Sequence, residues 1–466
     1  MATIVLRAVA ILGPCVLWFV PPPEGLNVDA WRLFGIFAAA IFAVVLNAFP
    51  ILTASVLAVA AAVLSRLLSP EKAYAGFANG TILLIVLAFL VARAVVKCGL
   101  GARIGHLIVA RFGRSTLGLS YSIFLVDSLI APAFPSSTAR SGVMFPLAFS
   151  LADAAGAKPD EVRNRRVGSF LMFSGMVSLS FSSALWLTAM AANPIGTEMA
   201  STFGIHIGFG SWLLAASVPT LAGIALMPLF LYWIISPELK ATPEAPAKAR
   251  SALVALGPLR RNEKVVLSAF VGMVTLWAAA ATLRIDSTAI AFLGFGLLLA
   301  TGALTLDDVS KQGDVLATFI WFAVLFTLSS QLNELGFMGF LGERLADAMT
   351  GWTAWSAGLV LVAAYVLLHY VFVSQTAHLL ALFGVFMDVG VKLGVPAAPL
   401  AFQLLFATDY FSSITPQGSS ANLLFAGSGF LSQRDLYRLG AIVTMCNVVL
   451  YLVIGTPWIM FVSGSE

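Results

Sequence analysis

The stretch APAFPSSTARSG, residues 131–142, decides how the chain is read. It puts Pro132 and Pro135, a cluster of hydroxyls and Arg140 between segments apolar enough for the interior of a bilayer. A cation at a helix break in hydrocarbon is costly, so the break requires a structural reason. The whole chain sets that context. Of its 466 residues 60% are hydrophobic and 10% charged, with a mean hydropathy of +0.96. A soluble protein carries about 25% charged residues. The composition predicts an all-α polytopic membrane protein whose partner is the lipid bilayer. The net charge of +4 and pI near 9.0 call for no nucleic-acid partner, because the basic residues crowd into a few loops. Cys15, Cys98 and Cys446 are scattered in or beside apolar segments, without metal or disulfide spacing.

About 20 apolar residues cross the hydrocarbon core as a helix. The predicted spans are 4–20, 31–49, 51–68, 82–98, 167–190, 212–236, 265–283, 287–304, 316–333, 396–411 and 439–460, about eleven in all. The first is followed by PPPEG and not by a cleavage site, so it reads as a span and not a signal peptide. The polar segment 237–264 carries six Lys or Arg and reads as a cytoplasmic linker between a first half, 1–236, and a second half, 265–466.

Two apolar stretches do not fit simple spans. Arg111 and Arg114 precede 116–155, and Lys158, Arg163, Arg165 and Arg166 follow it. Basic flanks favour the cytoplasmic side, so both ends lie on one side and the segment turns in mid-membrane at PSSTAR. The stretch 353–393 breaks at VFVSQTAH, residues 371–378, with few basic flanks, as on the outer side. Each half therefore carries one re-entrant hairpin, entering from opposite faces.

The halves resemble each other. KCGLGARIGHLIVARFG (97–113) compares with NELGFMGFLGERLADAMTG (333–351), and SSTAR (136–140) matches SQTAH (374–378), 238 positions on. Each hairpin precedes a broken span: FSSALWLTAMAANPIG (181–196) and FSSITPQGSSANLLFAGSG (411–429). Matched, interrupted segments in an inverted repeat are the best sequence pointer to a transporter's binding site. Non-helical backbone at membrane depth is tolerated only where it lines a cavity or is buried in protein.

Ser136, Ser137 and Thr138, and Ser374, Gln375 and Thr376, sit where one hairpin helix ends and the next begins. Backbone amides at a helix start favour an anion, freed carbonyls favour a hard cation, and Ser or Thr there can also be a plain N-cap. Arg140 and His378 lie in the first helical turn, where a cation opposes the helix dipole. Both are candidates for compensating a multiply charged anion. The competing readings are an Arg140–Asp127 pair within the hairpin and an uncharged, hydrogen-bonded His378. Asn193 and Asn422 close the broken spans and could cap freed backbone. Asp409, before the second break, could partner a cation; His369 and Tyr370 are equally readable as structural, and His106 and His206 as peripheral. A P-loop, an HExxH pair and a GxSxG elbow are absent, so transport would be driven by gradients or exchange and no enzyme is expected.

LAFLVARAVVKCGLGARI, APAFPSSTAR with FPLAFSLA, LTAMAANP, HYVFVSQTAH, and FAGSGF with LYRLG give the chain a resemblance, over nearly its whole length, to the divalent anion/sodium symporter family. It is most similar to the branch of 2-oxoglutarate/malate translocators and citrate/succinate antiporters. The resemblance implies an elevator-type homodimer, here in a bacterial inner membrane, with substrate held by Ser-Asn-Thr motifs, sodium beside each in the sodium-coupled members, and Thr188 through Asn193 and Ser413 through Asn422, Thr415 among them, lining the broken spans. This chain has Ser137 and Gln375 where those motifs have Asn, which unsettles a sodium site built on those two residues. TAR and TAH suggest fixed cations in place of sodium, hence no cofactor beyond a possible Na+ and obligatory exchange of dicarboxylates such as 2-oxoglutarate, malate and succinate. The alternative on the same fold is sodium-coupled symport of di- or tricarboxylates or sulfate. A channel, a sensor or a membrane enzyme is disfavoured by two opposed hairpins and by the lack of a nucleophile or metal set.

Overall fold

The computed structural model describes residues 7, 13, 16–46, 48–159, 161, 164–372 and 374–464. Most of the expected span 4–20 lies outside them, with 7, 13 and 16–20 described. Every named element is helical; among the described residues the one β feature is an isolated bridge between Ser115 and Ala241. Helices satisfy their own backbone groups, as hydrocarbon requires. Among the described residues eight helices are long and apolar enough to cross a membrane, and Ile51–Leu64, Ser287–Ala300 and Ala354–His369 are shorter apolar helices.

The first run of helices is α1 (Val28–Val45), α2 (Ile51–Leu64), α3 (Pro70–Tyr74), α4 (Gly80–Cys98), α5 (Leu100–Phe112), α6 (Thr116–Ile130), α7 (Ser137–Ala154), α8 (Arg165–Leu185), α9 (Ala192–Ser201) and α10 (Phe209–Ile235). After α11 (Glu244–Leu256) the order returns as α12 (Arg261–Leu283), α13 (Ser287–Ala300), α14 (Leu306–Ser310), α15 (Gly313–Glu334), α16 (Phe337–Ala348), α17 (Ala354–His369), α18 (Gln375–Lys392), α19 (Ala397–Tyr410) and α20 (Asn422–Ala426). It closes with α21 (Gln433–Leu450) and α22 (Thr456–Ser463).

The repeat holds at single residues. Gly99 and Gly336 precede α5 and α16 with φ of 77° and 84°, a left-handed conformation that a side chain disfavours. Ser115 caps α6 by accepting from Gly118 N, and Thr353 caps α17 by accepting from Ser356 N. The amphipathic helix, the capped arm, the break and the second arm thus recur in the same order.

The described chain forms two compact units, each drawing on both halves of the sequence. One comprises Met1–Val86, Ile195–His206 and Ser310–Leu404; the other comprises Leu87–Pro194, Ile207–Val309 and Leu405–Glu466. In the first, Phe34 stacks on Phe337 at 4.4 Å, Gly76 N donates to Thr327 Oγ1 at 3.0 Å, and Ser329 Oγ donates to the Leu380 carbonyl at 2.9 Å. Helix α18, the second arm of its hairpin, packs on α17 and α16.

The second unit is built around α8, buried along nearly its whole length against α6, α7 and α10. Small residues allow the close approach: a Cβ on Gly168 or Gly175 would strike the rings of Phe430 or Phe425. The 237–264 segment is docked on this unit. Thr116 N donates to Lys240 O at 3.1 Å, Thr242 N to Arg114 O at 2.9 Å, and α11 packs along α5. Arg103 forks onto Glu263 at 2.7 and 3.0 Å and donates to Gly257 O at 2.8 Å. The Ser115–Ala241 bridge sets the start of this segment beside the entry cap of the first hairpin.

Candidate functional site

In the second unit α6 ends at Ile130, and a short turn, Ala131–Ala133, leads through Pro135 to Ser136. Proline has no N–H to continue a helix, so the break is built into the sequence. Ser136 is extended (φ −144°, ψ 121°) and caps α7, its hydroxyl accepting from Ala139 N at 3.2 Å. Ser137 is buried with Oγ 3.1 Å from Ser183 Oγ on α8, whereas Thr138 is exposed.

Arg140, in the first turn of α7, is fully buried. Its Nε lies 2.8 Å from Asp127 Oδ1, an ion pair without hydrogen-bond alignment, and Asp127 is also fully buried. Nη1 donates to the carbonyls of Ala189 (2.8 Å) and Phe134 (3.4 Å); Nη2 donates to Ser183 Oγ (2.7 Å) and the Leu179 carbonyl (3.1 Å). Ser182 Oγ donates to Asp127 Oδ2 at 2.8 Å. The pair with Asp127, one of the two readings the sequence leaves open for Arg140, is present in the structure. Its guanidinium ties both arms of the hairpin to α8 and the first broken span, and its charge is balanced within the protein.

In the first unit the second tip has the same backbone plan. Ser374 is extended (φ −125°, ψ 123°) and caps α18, accepting from Ala377 N at 3.3 Å. Gln375 is half-buried and Thr376 buried. His378 is fully buried; its Nε2 lies 3.0 Å from the Tyr365 carbonyl, which can only accept, so Nε2 carries the hydrogen. The ring sits among Tyr365 (4.1 Å), His369 (5.0 Å) and Phe372 (5.4 Å). No described carboxylate pairs with it.

The two broken spans share one construction. Trp186 and Thr415 leave the helical region at φ −120° with ψ of 128° and 150°, short 3-10 turns follow at Leu187–Ala189 and Pro416–Gly418, and Met190 and Ser419 are extended. An asparagine closes each break. Asn193 Nδ2 donates to the carbonyls of Ser183 (2.9 Å) and Trp186 (3.4 Å), and Asn422 Nδ2 donates to those of Ser412 (2.7 Å) and Thr415 (3.3 Å). Each asparagine thus holds the carbonyls ten and seven residues before it. Thr188 Oγ1 donates to the Pro132 carbonyl at 3.1 Å, joining the first break to the first hairpin. Ser180 and Ser412 hydroxyls meet at 3.3 Å, bringing the second break against α8.

In the second unit the geometry therefore gathers Ser137, Arg140, Thr188 and Asn193 around α8, with Ser412 at the same helix. The sequence reading did not single out Ser182 or Ser183. The signal was present: Ser174, Ser178 and Ser182 are four apart, one face of a helix, and Ser120 and Asp127 on α6 answer it, with Ser120 Oγ 2.8 Å from Ser174 Oγ. As for sodium, Ser137 Oγ lies against Ser183 Oγ, and two carbonyls at each break accept from Asn193 or Asn422. Among the described residues no group of three or more His, Cys, Asp or Glu could hold a metal.

A family model described as the sodium:sulfate symporter transmembrane region matches residues 2–464. The chain belongs to the divalent anion/sodium symporter family. A member of this family is an integral membrane transporter and not an enzyme. Its relatives include YflS of Bacillus subtilis (strain 168), a malate-transporter candidate, 37% identical over 445 residues that cover 95% of this chain and 93% of that one. Dicarboxylate transporter 2 of the Spinacia oleracea chloroplast is 36% identical, over 96% of this chain and 80% of that one. The solved YdaH transporter of Alcanivorax borkumensis superposes with a TM-score of 0.58 at 15% identity, covering 99% and 98% of the two chains, which supports the family fold alone.

Proposed function

We propose that the chain is a secondary carrier of divalent organic anions such as 2-oxoglutarate, malate and succinate, working by exchange of one anion for another. The carrying observation is the twice-built plan of a serine-capped helix start joined in sequence to an asparagine-clamped broken span. Relatives named as malate and dicarboxylate transporters support the substrate class. In this reading each tip presents helix-start amides and hydroxyls to an anion, through Ser136, Ser137 and Thr138 in one unit and Ser374, Gln375 and Thr376 in the other, and Thr188 and Thr415 line the breaks.

The electrostatic argument for exchange moves from side chains to backbone. Arg140 is neutralised by Asp127, so it adds no net charge to an empty carrier. Each helix start still carries roughly half a positive charge, and two of them roughly one. An empty carrier would return with that partial charge uncompensated, which favours return with an anion. The family resemblance extends the proposal to a homodimer with an elevator-like mobile part, in a bacterial inner membrane. The runner-up is sodium-coupled symport, favoured by the family's description.

Purified protein in proteoliposomes decides between them. The expected result is labelled malate uptake only into vesicles preloaded with a dicarboxylate, unchanged by sodium. Sodium-dependent uptake into empty vesicles would replace exchange with symport. Sulfate uptake without malate uptake would overturn the substrate class.

A further inference from the structure

The second unit holds two fully buried carboxylates, Asp127 and Asp409, near one fully buried guanidinium, Arg140. Asp127 takes both the ion pair and the Ser182 hydroxyl. Asp409, one residue before the end of α19, is different: neither of its oxygens has a hydrogen-bond partner among the described residues. The charged and titratable groups within electrostatic reach of it are Arg140 on α7, its neighbour Tyr410, and Tyr451 after α21. Arg140 directs its hydrogen bonds to Ser183 and three carbonyls, and the Tyr410 hydroxyl is paired with Thr220. One guanidinium balances one carboxylate. An ionised Asp409 would thus be a second buried negative charge with no hydrogen bond, an expensive state that a bound proton relieves.

We propose that Asp409 is a proton-binding site, and that its proton occupancy rises when a dianion binds at the first hairpin tip. The route for that influence runs through Arg140. Arg140 Nη2 donates to Ser183 Oγ, which lies 3.1 Å from Ser137 Oγ at the tip. A dianion there adds negative charge to the same water-poor region, and like charges disfavour an ionised carboxylate. The linkage is reciprocal, so a proton on Asp409 favours the anion equally. The step is simple: a proton leaves bulk water for an oxygen of Asp409 when the anion arrives and returns when it departs. It also answers a charge mismatch at that tip, since one helix start supplies roughly half a positive charge against two negative charges on a dicarboxylate. The position 229 residues earlier, related through the matched breaks, is Ser180, so the device belongs to the second break alone. The proton site stands without the dicarboxylate reading; the coupling rests on it.

Infrared difference spectroscopy on the full chain in lipid nanodiscs tests the site. The wild type should show a protonated-carboxyl carbonyl band at neutral pH that Asp409→Asn abolishes and that Asp153→Asn, at an exposed position, leaves alone. Asp409→Glu should displace the band, which keeps the test usable if Asp409→Asn does not fold. Wild type, Asp409→Asn and Asp409→Glu sharing one spectrum would overturn the proposal. An indicator dye in weakly buffered solution tests the coupling: malate should draw a fraction of a proton per chain from solution in the wild type, equal to the share of Asp409 still ionised in its absence, and none in Asp409→Asn that still binds malate. Equal uptake by both would overturn the coupling. No malate-induced thermal shift in the wild type would count against the dicarboxylate reading, while the infrared result would still decide the proton site.

Discussion

Asp127 and Arg140 in the first repeat stand 238 positions before Tyr365 and His378 in the second. In both pairs a side chain on the first turn of the second hairpin arm reaches back to the first arm: Arg140 to the Asp127 carboxylate, His378 to the Tyr365 carbonyl. The chemistry differs. One is a fully buried ion pair, the other an imidazole boxed by aromatic rings. What the repeats share is the brace across the hairpin, and charge is a property of one copy. That changes the meaning of two basic residues at matched positions, which the sequence presents as a pair of charges waiting for an anion.

The sharpest way to break the comparison is to remove half of each brace. Arg140→Met leaves Asp127 as an uncompensated buried charge and should cost about 3–5 kcal/mol, read as a large fall in thermal stability or loss of monodisperse protein. Asp127→Leu with Arg140→Met should recover most of that loss, since both charges leave together. A double variant as unstable as the single would refute the pair.

Next come the asparagine clamps, where the repeats should behave alike. Asn193→Ala and Asn422→Ala each remove the amide donor from the Ser183 or Ser412 carbonyl, while Trp186 O and Thr415 O keep the Ala189 and Gly418 amides, and should each cost about 1–3 kcal/mol in thermal unfolding. A large effect in one repeat and none in the other would show that the matched geometry conceals unequal roles. Smaller still are the caps: Ser136→Ala and Ser374→Ala should each cost about 1 kcal/mol and weaken malate-induced stabilisation several-fold. Unchanged malate binding in both would remove the hydroxyls from the site.

His378→Phe keeps the ring and loses one hydrogen bond, so it should cost about 1 kcal/mol and leave exchange running. Abolished exchange in a stable His378→Phe protein would restore a charge role to the second brace. The smallest effect concerns the periphery. Lys97, with Thr305, holds the Asp308 carboxyl below its ordinary range, so this pairing stabilises above the unfolded carboxylate range and is lost only as pH falls through the lower, folded value. It should therefore add no slope to stability between pH 5 and 9, which thermal melts of wild type and Asp308→Asn over that range would check.

The breaks were legible because they violate a strong local rule. Prolines, hydroxyls and Arg140 inside a segment flanked by bases on both sides leave few alternatives to a turned helix. The cap roles of Ser136 and Ser374 follow from residue type, and the structure holds both. The partner of Arg140 was not legible beyond two options. Asp127 lies thirteen residues back across a turn, so whether the two meet depends on how the arms pack on α8, and that packing is set by glycines and phenylalanines far away in sequence. The docked state of 237–264 was hidden for a similar reason: its contacts are backbone bonds to 113–116 and a buried Arg103–Glu263 pair, neither of which polarity of composition reveals. The Asn193 and Asn422 clamps lie between, since residue type suggested a capping role and only the fold supplied the carbonyls.

The central claim is that Arg140 answers to Asp127 and not to the substrate. Malate-induced thermal stabilisation of the Asp127→Leu/Arg140→Met double variant tests it most directly. The double variant should fold and respond to malate with an apparent affinity within a few-fold of the wild type. A folded double variant that no longer responds to malate, beside a wild type that does, would contradict it.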